Sequence, residues 1–337
     1  MKKLILIFFL FSSLIIHAQE TVRVLFIGNS FTFTHDAPAL LRKLAETQGH
    51  RVITSENCIG GYSFQTHAAH EKTRELIRKG NYDYVLLQGY SREMTHNIEI
   101  LREKTFPYVK QLMDSIHEYA PNATPIFFMT WGYKDGTTIA PTPFDNFEDM
   151  NAIIQQRYEK LAQHYHCWVA PIGAAWAAVR FNYPDINLYA SDNYHPSPAG
   201  EYLVASTLYS MIFNEECKSS FHFKLSSTDA ANIQYTTSIT VGSSLERWKN
   251  TAEPKQFRFM NDLPEMYPNP AQTSISFNLP CDHATISVVN LLGKEVARFN
   301  NVKMPFRTTT GTIPDGVYFV KMNYSNSSKI ERLIIKR

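Results

Sequence analysis

Residues 22–30 read Val-Arg-Val-Leu-Phe-Ile-Gly-Asn-Ser, an apolar run that ends in a turn signal and a serine. The run from 22 to 27 has the length and composition of a buried strand, and Gly28 and Asn29 favour a turn directly after it. In open α/β sheets, substrates and ligands bind at the carboxyl ends of the strands. Ser30 is therefore a candidate catalytic residue.

Up to about residue 215, strand-like segments alternate with helix-like segments. Near-continuous apolar runs predict strands that are buried on both faces of a parallel sheet. The runs occupy residues 22–27, 52–55, 84–88, 125–130 and 168–171. The helix-like segments occupy residues 36–48, with Asp36 as N-cap, 98–119 and 147–164. The pattern predicts an α/β fold, a three-layer sandwich with a parallel sheet, over residues 20–215.

The pattern changes after residue 215. A polar cap at residues 226–229 predicts a helix to about residue 241, so residues 216–265 are assigned to a helical extension and linker. Short alternating strands follow at residues 274–279, 285–290, 316–322 and 329–335. Turn signals at this spacing predict a small C-terminal β-sandwich over residues 266–337.

The N-terminal residues have the pattern of a signal peptide. Lys2 and Lys3 precede an apolar stretch at residues 4–16, and Ala18 offers a small side chain at a cleavage position. A membrane-spanning helix needs about 20 apolar residues, more than this stretch provides. We predict a signal peptide at residues 1–19 and export through the periplasm, to the cell surface or the medium.

Composition excludes several other classes of protein. The formal net charge of +2 falls to 0 when Lys2 and Lys3 are removed, so the charge gives no reason to expect nucleic acid or an anionic membrane as partner. No later segment is apolar enough to span a membrane. The cysteines lack the close spacing of a zinc site, and export permits a disulfide whose pairing the sequence leaves open: Cys58, Cys167, Cys217 and Cys281.

Asp192 and His195 lie three positions apart, far along the chain from Ser30. A serine hydroxyl is a poor nucleophile at neutral pH, so acyl transfer needs an imidazole to accept its proton and a carboxylate to orient the imidazole. The short spacing lets the acid and the imidazole share one turn. It argues against an α/β-hydrolase, as does the absence of Gly-x-Ser-x-Gly around Ser30.

These motifs resemble two known families. Residues 21 to about 215 resemble an SGNH (GDSL-like) hydrolase, from the secreted branch with Gly-Asn-Ser at 28–30, Gly-Gly-Tyr-Ser at 60–63 and a glutamine in the third block. The tail resembles the C-terminal sorting domain of the Bacteroidetes type IX secretion system. It has Tyr-Pro-Asn-Pro at 267–270, Gly-Val-Tyr-Phe-Val-Lys at 316–321 and Ile-Lys-Arg at 335–337. The second resemblance implies the secretion machinery as a partner.

The first resemblance implies a Ser-His-Asp mechanism. Ser30 matches the nucleophile, His195 the general base and Asp192 the acid that orients it. The resemblance also implies that the backbone N–H groups of Ser30 and Gly61 are oxyanion donors, with Gly60 as the competing assignment for the second. The usual Gly-x-Asn of the third block is absent. Gln88 stands at the corresponding strand end, and we expect its amide to replace asparagine as the third donor.

We therefore predict a secreted serine esterase that hydrolyses small acyl esters, chiefly O-acetyl groups on carbohydrates, without a metal or organic cofactor. Trp131, at another strand end, is a candidate for stacking on a sugar ring or for the core. His67 and His70 have the spacing of a helical metal pair but no third ligand, so we expect them on a surface helix.

Three alternatives remain open on sequence alone. A lipase, lysophospholipase or thioesterase of the same fold would use the same catalytic groups but would need an apolar acyl channel. A non-catalytic glycan-binding protein of the cell surface could retain the scaffold. The C-terminal sandwich could be a carbohydrate-binding module, although its basic end and lack of an aromatic platform favour sorting.

Overall fold

The computed structural model describes residues 21–139, 142–250, 266–267, 269–277, 279, 281–304, 306–324 and 327–337. The N-terminal part contains a five-stranded sheet in the order β2-β1-β3-β4-β5, with every pair parallel. Its strands are β1 (Thr21–Gly28), β2 (Arg51–Cys58), β3 (Tyr84–Leu87), β4 (Thr124–Phe128) and β5 (Trp168–Ala170). The predicted parallel α/β fold is confirmed.

Helices cover both faces of this sheet. Because crossovers between parallel strands are almost always right-handed, the strand order places the helix between β1 and β2 on one face and the helices between later strands on the other. In the first layer α2 packs on α9, which also contacts α8 and α10, and in the second α3 and α4 pack on α6. The helices are α1 (Ser30–Phe33), α2 (Ala37–Thr47), α3 (Phe64–Ala69), α4 (Glu71–Arg78), α5 (Ile98–Lys104), α6 (Phe106–Tyr119), α7 (Phe147–Tyr165), α8 (Ile172–Asn182), α9 (Pro198–Phe213), α10 (Ser227–Gly242) and α11 (Leu245–Lys249).

The strand order creates a switch point between β1 and β3. The chain leaves β1 towards β2 on one side and returns past β1 to β3 on the other. The connections therefore diverge at the carboxyl ends of β1 and β3 and leave a crevice there, the usual ligand position in such sheets. Ser30 follows β1 and Gln88 follows β3, so both lie at this crevice.

One helical prediction is wrong in detail, and one helix was not predicted. The segment 98–119 is not one helix, because Thr105 breaks it into α5 and α6 and Pro107 lies in the first turn of α6. Proline lacks a backbone N–H and is tolerated only in a first turn, so the helix has to restart there. The sequence pattern also missed α9, whose side chains are buried on almost every side. Such a helix has no amphipathic period to detect.

The C-terminal part forms two antiparallel sheets, in the orders β10-β7-β6 and β12-β11-β8-β9. Side chains from both sheets share one apolar core, which includes Ile275, Phe277, Val288 and Val320. The β-sandwich is therefore confirmed. Its strands are β6 (Met266–Tyr267), β7 (Ser274–Phe277), β8 (His283–Asn290), β9 (Glu295–Lys303), β10 (Phe306–Thr309), β11 (Gly316–Tyr324) and β12 (Ser327–Ile335).

The sandwich contacts the α/β domain through a charged cluster. Arg307 on β10 donates from Nη2 to Asp149 Oδ2 at 2.8 Å, at the start of α7. Ser274 Oγ on β7 donates to the same oxygen at 2.8 Å, and Asp145 lies 3.1 Å from the guanidinium. The buried carboxyl of Asp149 thus receives two hydrogen bonds from the other domain.

The predicted signal peptide and residues 251–265 of the predicted linker lie outside the described residues. Within the described residues, none of the helices combines the length and the apolar character that crossing a bilayer would require. All four cysteines are described, and no disulfide joins any two of them.

Candidate active site

The turn that carries Ser30 is held by the side chain of Asn29. Asn29 has an extended backbone and caps α1, because its Oδ1 accepts from Phe31 N at 3.1 Å. Its Nδ2 donates to the carbonyl oxygens of Tyr62 and Gly89, both at 2.9 Å. Ser30 is thereby fixed as the first residue of α1, half-buried at the crevice.

The structure brings Ser30, His195 and Asp192 together. His195 Nε2 lies 2.8 Å from Ser30 Oγ, although the two residues are 165 positions apart in the sequence. His195 Nδ1 lies 2.6 Å from Asp192 Oδ2. The hydroxyl, imidazole and carboxyl therefore form one hydrogen-bonded row at the carboxyl edge of the sheet.

The environment of Asp192 determines which nitrogen of His195 carries the proton. Partial burial alone would raise the pKa of Asp192, but hydrogen bonds from the His195 side chain and from the backbone N–H groups of His195 and Tyr194 outweigh it and lower the pKa. An ionised carboxylate can only accept hydrogen bonds. Nδ1 of His195 must therefore carry the proton, which leaves Nε2 of the neutral ring to accept from Ser30.

The loop that holds Asp192 and His195 is hydrogen-bonded to the segment after β4. Asn193 between them has a φ of 66°, a left-handed conformation that asparagine tolerates better than most residues. Lys134 N donates to the carbonyl oxygen of Asn193 at 2.9 Å. Trp131 Nε1 donates to the carbonyl oxygen of Tyr194 at 3.1 Å. These bonds fix the turn that points the imidazole at Ser30.

Two predicted oxyanion donors have available N–H groups. Among the described residues, the backbone N–H groups of Ser30 and Gly61 have no acceptor. Gly61 has a φ of 74°, which favours glycine, and a Cβ at this position would meet no atom within 4 Å. The N–H of Gly60 is also without an acceptor among the described residues, so the competing assignment stays open.

Gln88 does not have the geometry predicted for a third oxyanion donor. Its Nε2 donates to Asn29 Oδ1 at 2.6 Å and to the carbonyl oxygen of Gly89 at 3.1 Å. Its Oε1 accepts from Asn29 N and from Thr32 Oγ1. Both amide hydrogens are therefore used inside the protein, and the side chain is buried. Gln88 braces the Ser30 turn, and its longer arm reaches sideways to Asn29.

Trp131 also differs from the prediction, because it is fully buried and is no surface for a sugar ring. Its ring stacks between Phe31, at a centroid distance of 4.4 Å, and Trp176, at 4.0 Å. Both faces are therefore occupied by protein. The open alternative, a core residue, is the one that the structure supports.

His67 is a core residue and lies on no exposed surface. Its Nε2 donates to the carbonyl oxygen of Gly28 at 2.9 Å, and its Nδ1 lies 3.2 Å from Thr73 Oγ1. Burial lowers the pKa of His67 to about 4, so the ring is neutral at physiological pH. Its bond to Gly28 supports the end of β1, next to Ser30.

Glu93 is a buried carboxyl that the sequence analysis did not identify. It lies in a 3₁₀ turn, Glu93–Thr95, after β3. Nothing in its spacing distinguishes it from a solvated glutamate, since its burial arises from the packing of α3, α6 and α7 around the turn. Its hydrogen bonds reach both loops of the site.

Comparison with known proteins separates the two parts of the chain. Residues 265–336 match the sequence model of the secretion system C-terminal sorting domain. No curated protein matches the chain significantly. A solved DUF4886 family protein from Bacteroides uniformis is similar at a TM-score of 0.58 and 18% identity, over 66% of this chain and 95% of that one. At that identity the similarity concerns the fold alone.

Two further solved structures are more distant. An acetyl xylan esterase has a TM-score of 0.43 and 16% identity, over 57% of this chain and 100% of its own. A family 3 carbohydrate esterase from Clostridium thermocellum has a TM-score of 0.40 and 14% identity, over 57% and 94%. Neither similarity is close enough to support an argument about activity. The chain therefore carries a secretion system C-terminal sorting domain, which indicates export to the surface or the medium, behind an α/β domain with the fold of a DUF4886 family protein.

Proposed function

We propose that the α/β domain is a serine esterase that removes small acyl groups, chiefly O-acetyl groups, from carbohydrates after export through the periplasm. The observation that carries this proposal is the row of hydrogen bonds through His195, 2.8 Å to Ser30 Oγ and 2.6 Å to Asp192 Oδ2. It provides a nucleophile, a general base and an orienting carboxylate, each within hydrogen-bonding distance of the next.

Acylation begins when Ser30 Oγ attacks the ester carbonyl carbon and its proton passes to His195 Nε2. The carbonyl oxygen becomes an oxyanion, and the N–H groups of Ser30 and Gly61 donate to it. Collapse of the tetrahedral intermediate breaks the bond to the sugar oxygen, which takes the proton from Nε2. The acyl group remains on Ser30 as an ester.

Deacylation repeats these steps with water. His195 Nε2 removes a proton from a water molecule, which attacks the acyl carbon. Collapse of the second intermediate releases the carboxylic acid, and Ser30 Oγ recovers its proton from Nε2. Asp192 stays ionised throughout and stabilises the imidazolium that forms twice in each cycle.

The assignment of a carbohydrate substrate rests on the resemblance to secreted SGNH hydrolases and on export. The exposure of the site fits this class. Ser30 and His195 are half-buried, Asp192 is exposed, and the space in front of Gly61 is open. An ester group on a large polymer can reach such a site without entering an enclosed cavity.

Replacement of the nucleophile tests the proposal. Ser30→Ala should lower kcat for nitrophenyl acetate on the order of 10⁶-fold, because loss of a triad serine removes the acyl-enzyme route. Ser115→Ala, at a partly exposed position of α6, is the matched control and should keep full activity. An active Ser30→Ala variant would refute the assignment.

A substrate panel tests the specificity. Acetylated polysaccharides, monoacyl phospholipids and acyl-thioesters would be compared by the rate at which acid is released. We expect kcat/KM to be highest for the acetylated polysaccharides. A preference for long acyl chains would instead identify a lipase or thioesterase that uses the same row of groups.

A further inference from the structure

The carboxyl of Glu93 joins the two loops that flank the nucleophile. Its Oε2 accepts from the backbone N–H of Tyr90 at 2.8 Å and from that of Phe64 at 3.2 Å. Its Oε1 accepts from Thr105 Oγ1 at 3.0 Å. Only 3% of the residue is exposed, so these bonds form away from solvent.

Each of the two backbone groups belongs to a segment that shapes the site. Phe64 is the first residue of α3 and directly follows the loop that carries the N–H of Gly61. Tyr90 follows Gly89, whose carbonyl oxygen accepts from Asn29, the cap of the Ser30 turn. One carboxylate oxygen therefore ties the Gly61 loop to the loop that braces Ser30.

The packing around this oxygen is tight. A Cβ built on Gly89 would lie 2.5 Å from Glu93 Oε2 and 2.6 Å from the ring of Phe64. The carboxylate and the Phe64 ring thus leave no space for a side chain at Gly89, where the two loops meet.

We propose that Glu93 is a positioning residue of the esterase: by holding both loops with one oxygen, it sets the Gly61 N–H at the distance from Ser30 that the oxyanion requires. The inference rests on the proposed function. Glu93 does not touch the reacting atoms, so its effect acts through the geometry of the donors.

The surroundings of Glu93 contain few charges that could hold it ionised. Burial raises the pKa of Glu93 to about 7, and its three hydrogen-bond donors are uncharged. From α7, the phenol of Tyr158 faces it, and Arg157 donates to the carbonyl oxygen of Met94. Arg92, the preceding residue, donates to the carbonyl oxygen of Ile139.

Protonation leaves the two backbone bonds intact. A proton on Oε1 can be donated to Thr105 Oγ1, since a hydroxyl both donates and accepts, while Oε2 continues to accept from Tyr90 and Phe64. The negative charge is therefore not needed, but the reach of the side chain is. Variants that change the reach and the charge of this side chain separately can therefore test its role.

The first arm compares reach with charge. Glu93→Gln keeps the length and loses the charge, so we expect kcat within about threefold of the wild type. Glu93→Asp keeps the charge but is one methylene shorter and cannot hold both loops. Its kcat should fall about 10²-fold, the typical cost of one oxyanion donor, with KM little changed. Thr105→Val removes only the third bond and is the matched control, with kcat near the wild type.

The second arm needs no activity. Amide hydrogen exchange at residues 60–64 and 89–90 should be faster in Glu93→Asp and close to wild type in Glu93→Gln.

The pH dependence of the stability gives a further prediction, with a definite direction. Because the pKa in the folded state is raised to about 7 from 4.5, the native state keeps a proton that the unfolded chain loses, so stability falls as pH rises through this window. As the pH rises from 4.5 to about 7, the Tm of the wild type should therefore fall relative to the Tm of Glu93→Gln.

The outcomes separate this inference from the proposed function. If Glu93→Asp retains full kcat and normal exchange, or if Glu93→Gln is impaired more than Glu93→Asp, the positioning role is refuted while a Ser30-dependent esterase stands. If the wild type has no Ser30-dependent activity, the proposed function fails first. The exchange experiment then still decides whether Glu93 holds the two loops.

Discussion

The groups at the surface of the crevice and the groups directly beneath it have the same chemistry but different hydrogen bonding. At the surface, the N–H groups of Ser30 and Gly61 have no acceptor among the described residues, and Nε2 of His195 faces the nucleophile. Beneath, both amide hydrogens of Gln88 and both oxygens of Glu93 are used by the protein.

This difference indicates which groups can act on a substrate. A polar group whose hydrogen bonds are already made must break them before it can stabilise a transition state, whereas an unused donor can act without reorganisation. The surface groups therefore have the catalytic roles in our account. The buried layer fixes their positions, and its contribution should appear in stability and alignment.

The largest difference is expected between two carboxyl groups that are each replaced by their amide. Asp192→Asn should lower kcat about 10⁴-fold, or about 5 kcal/mol, because an amide that donates to Nδ1 favours the wrong tautomer of His195. Glu93→Gln should stay within a few-fold, because two backbone bonds survive. Steady-state hydrolysis of nitrophenyl acetate measures both. Equal losses would abolish the distinction between the layers.

A smaller effect is expected when the buried amide is removed. Gln88→Ala should lower the free energy of unfolding by about 3 kcal/mol, because it leaves buried partners around Asn29 unsatisfied. Gln111→Ala, at an exposed position of α6, should change it by less than about 0.5 kcal/mol. Denaturant unfolding measures both variants. If Gln88→Ala instead loses turnover at full stability, Gln88 acts on the oxyanion after all.

The smallest effect is expected at the backbone donor. Gly61→Ala introduces no clash and keeps the N–H, but it strains a residue with a φ of 74° and should cost about 1 kcal/mol of stability. Relief of this strain would turn the N–H away from the oxyanion, so kcat should fall about tenfold, less than the loss of a whole donor would cost. Gly49→Ala is a close control, since its φ is 84° and its Cβ would also meet no atom within 4 Å. It should lose the same stability and no activity. A kcat loss in both variants would make the effect one of folding.

The sequence was informative where a local pattern is tied to a chemical requirement. The strand that ends at Gly28 and the three-residue spacing of Asp192 and His195 predicted neighbours that the structure brings together. The side chains of Gln88 and Trp131 were misjudged, because their direction is set by partners far away in the chain. Gln88 turns to Asn29, 59 positions away, and Trp131 inserts between Phe31 and Trp176.

The same limit explains the buried groups that the sequence did not reveal. Nothing in the sequence around Glu93 and His67 distinguishes them from solvated polar residues. Only the packing of α3 against its neighbours buries both, so that Glu93 holds two loops together and His67 is a neutral core histidine. A sequence pattern reports which side chains are available. Burial decides which of them keep an unused hydrogen bond.

The proposed mechanism requires the hydroxyl of Ser30 to become acylated during turnover. Rapid mixing with nitrophenyl acetate, an acid quench and mass spectrometry of the digested protein would test it directly. We expect an early burst of nitrophenol and an added acetyl group on the peptide that contains Ser30, both absent in Ser30→Ala. Hydrolysis at the full rate with no acetyl group on Ser30 at any time would contradict it.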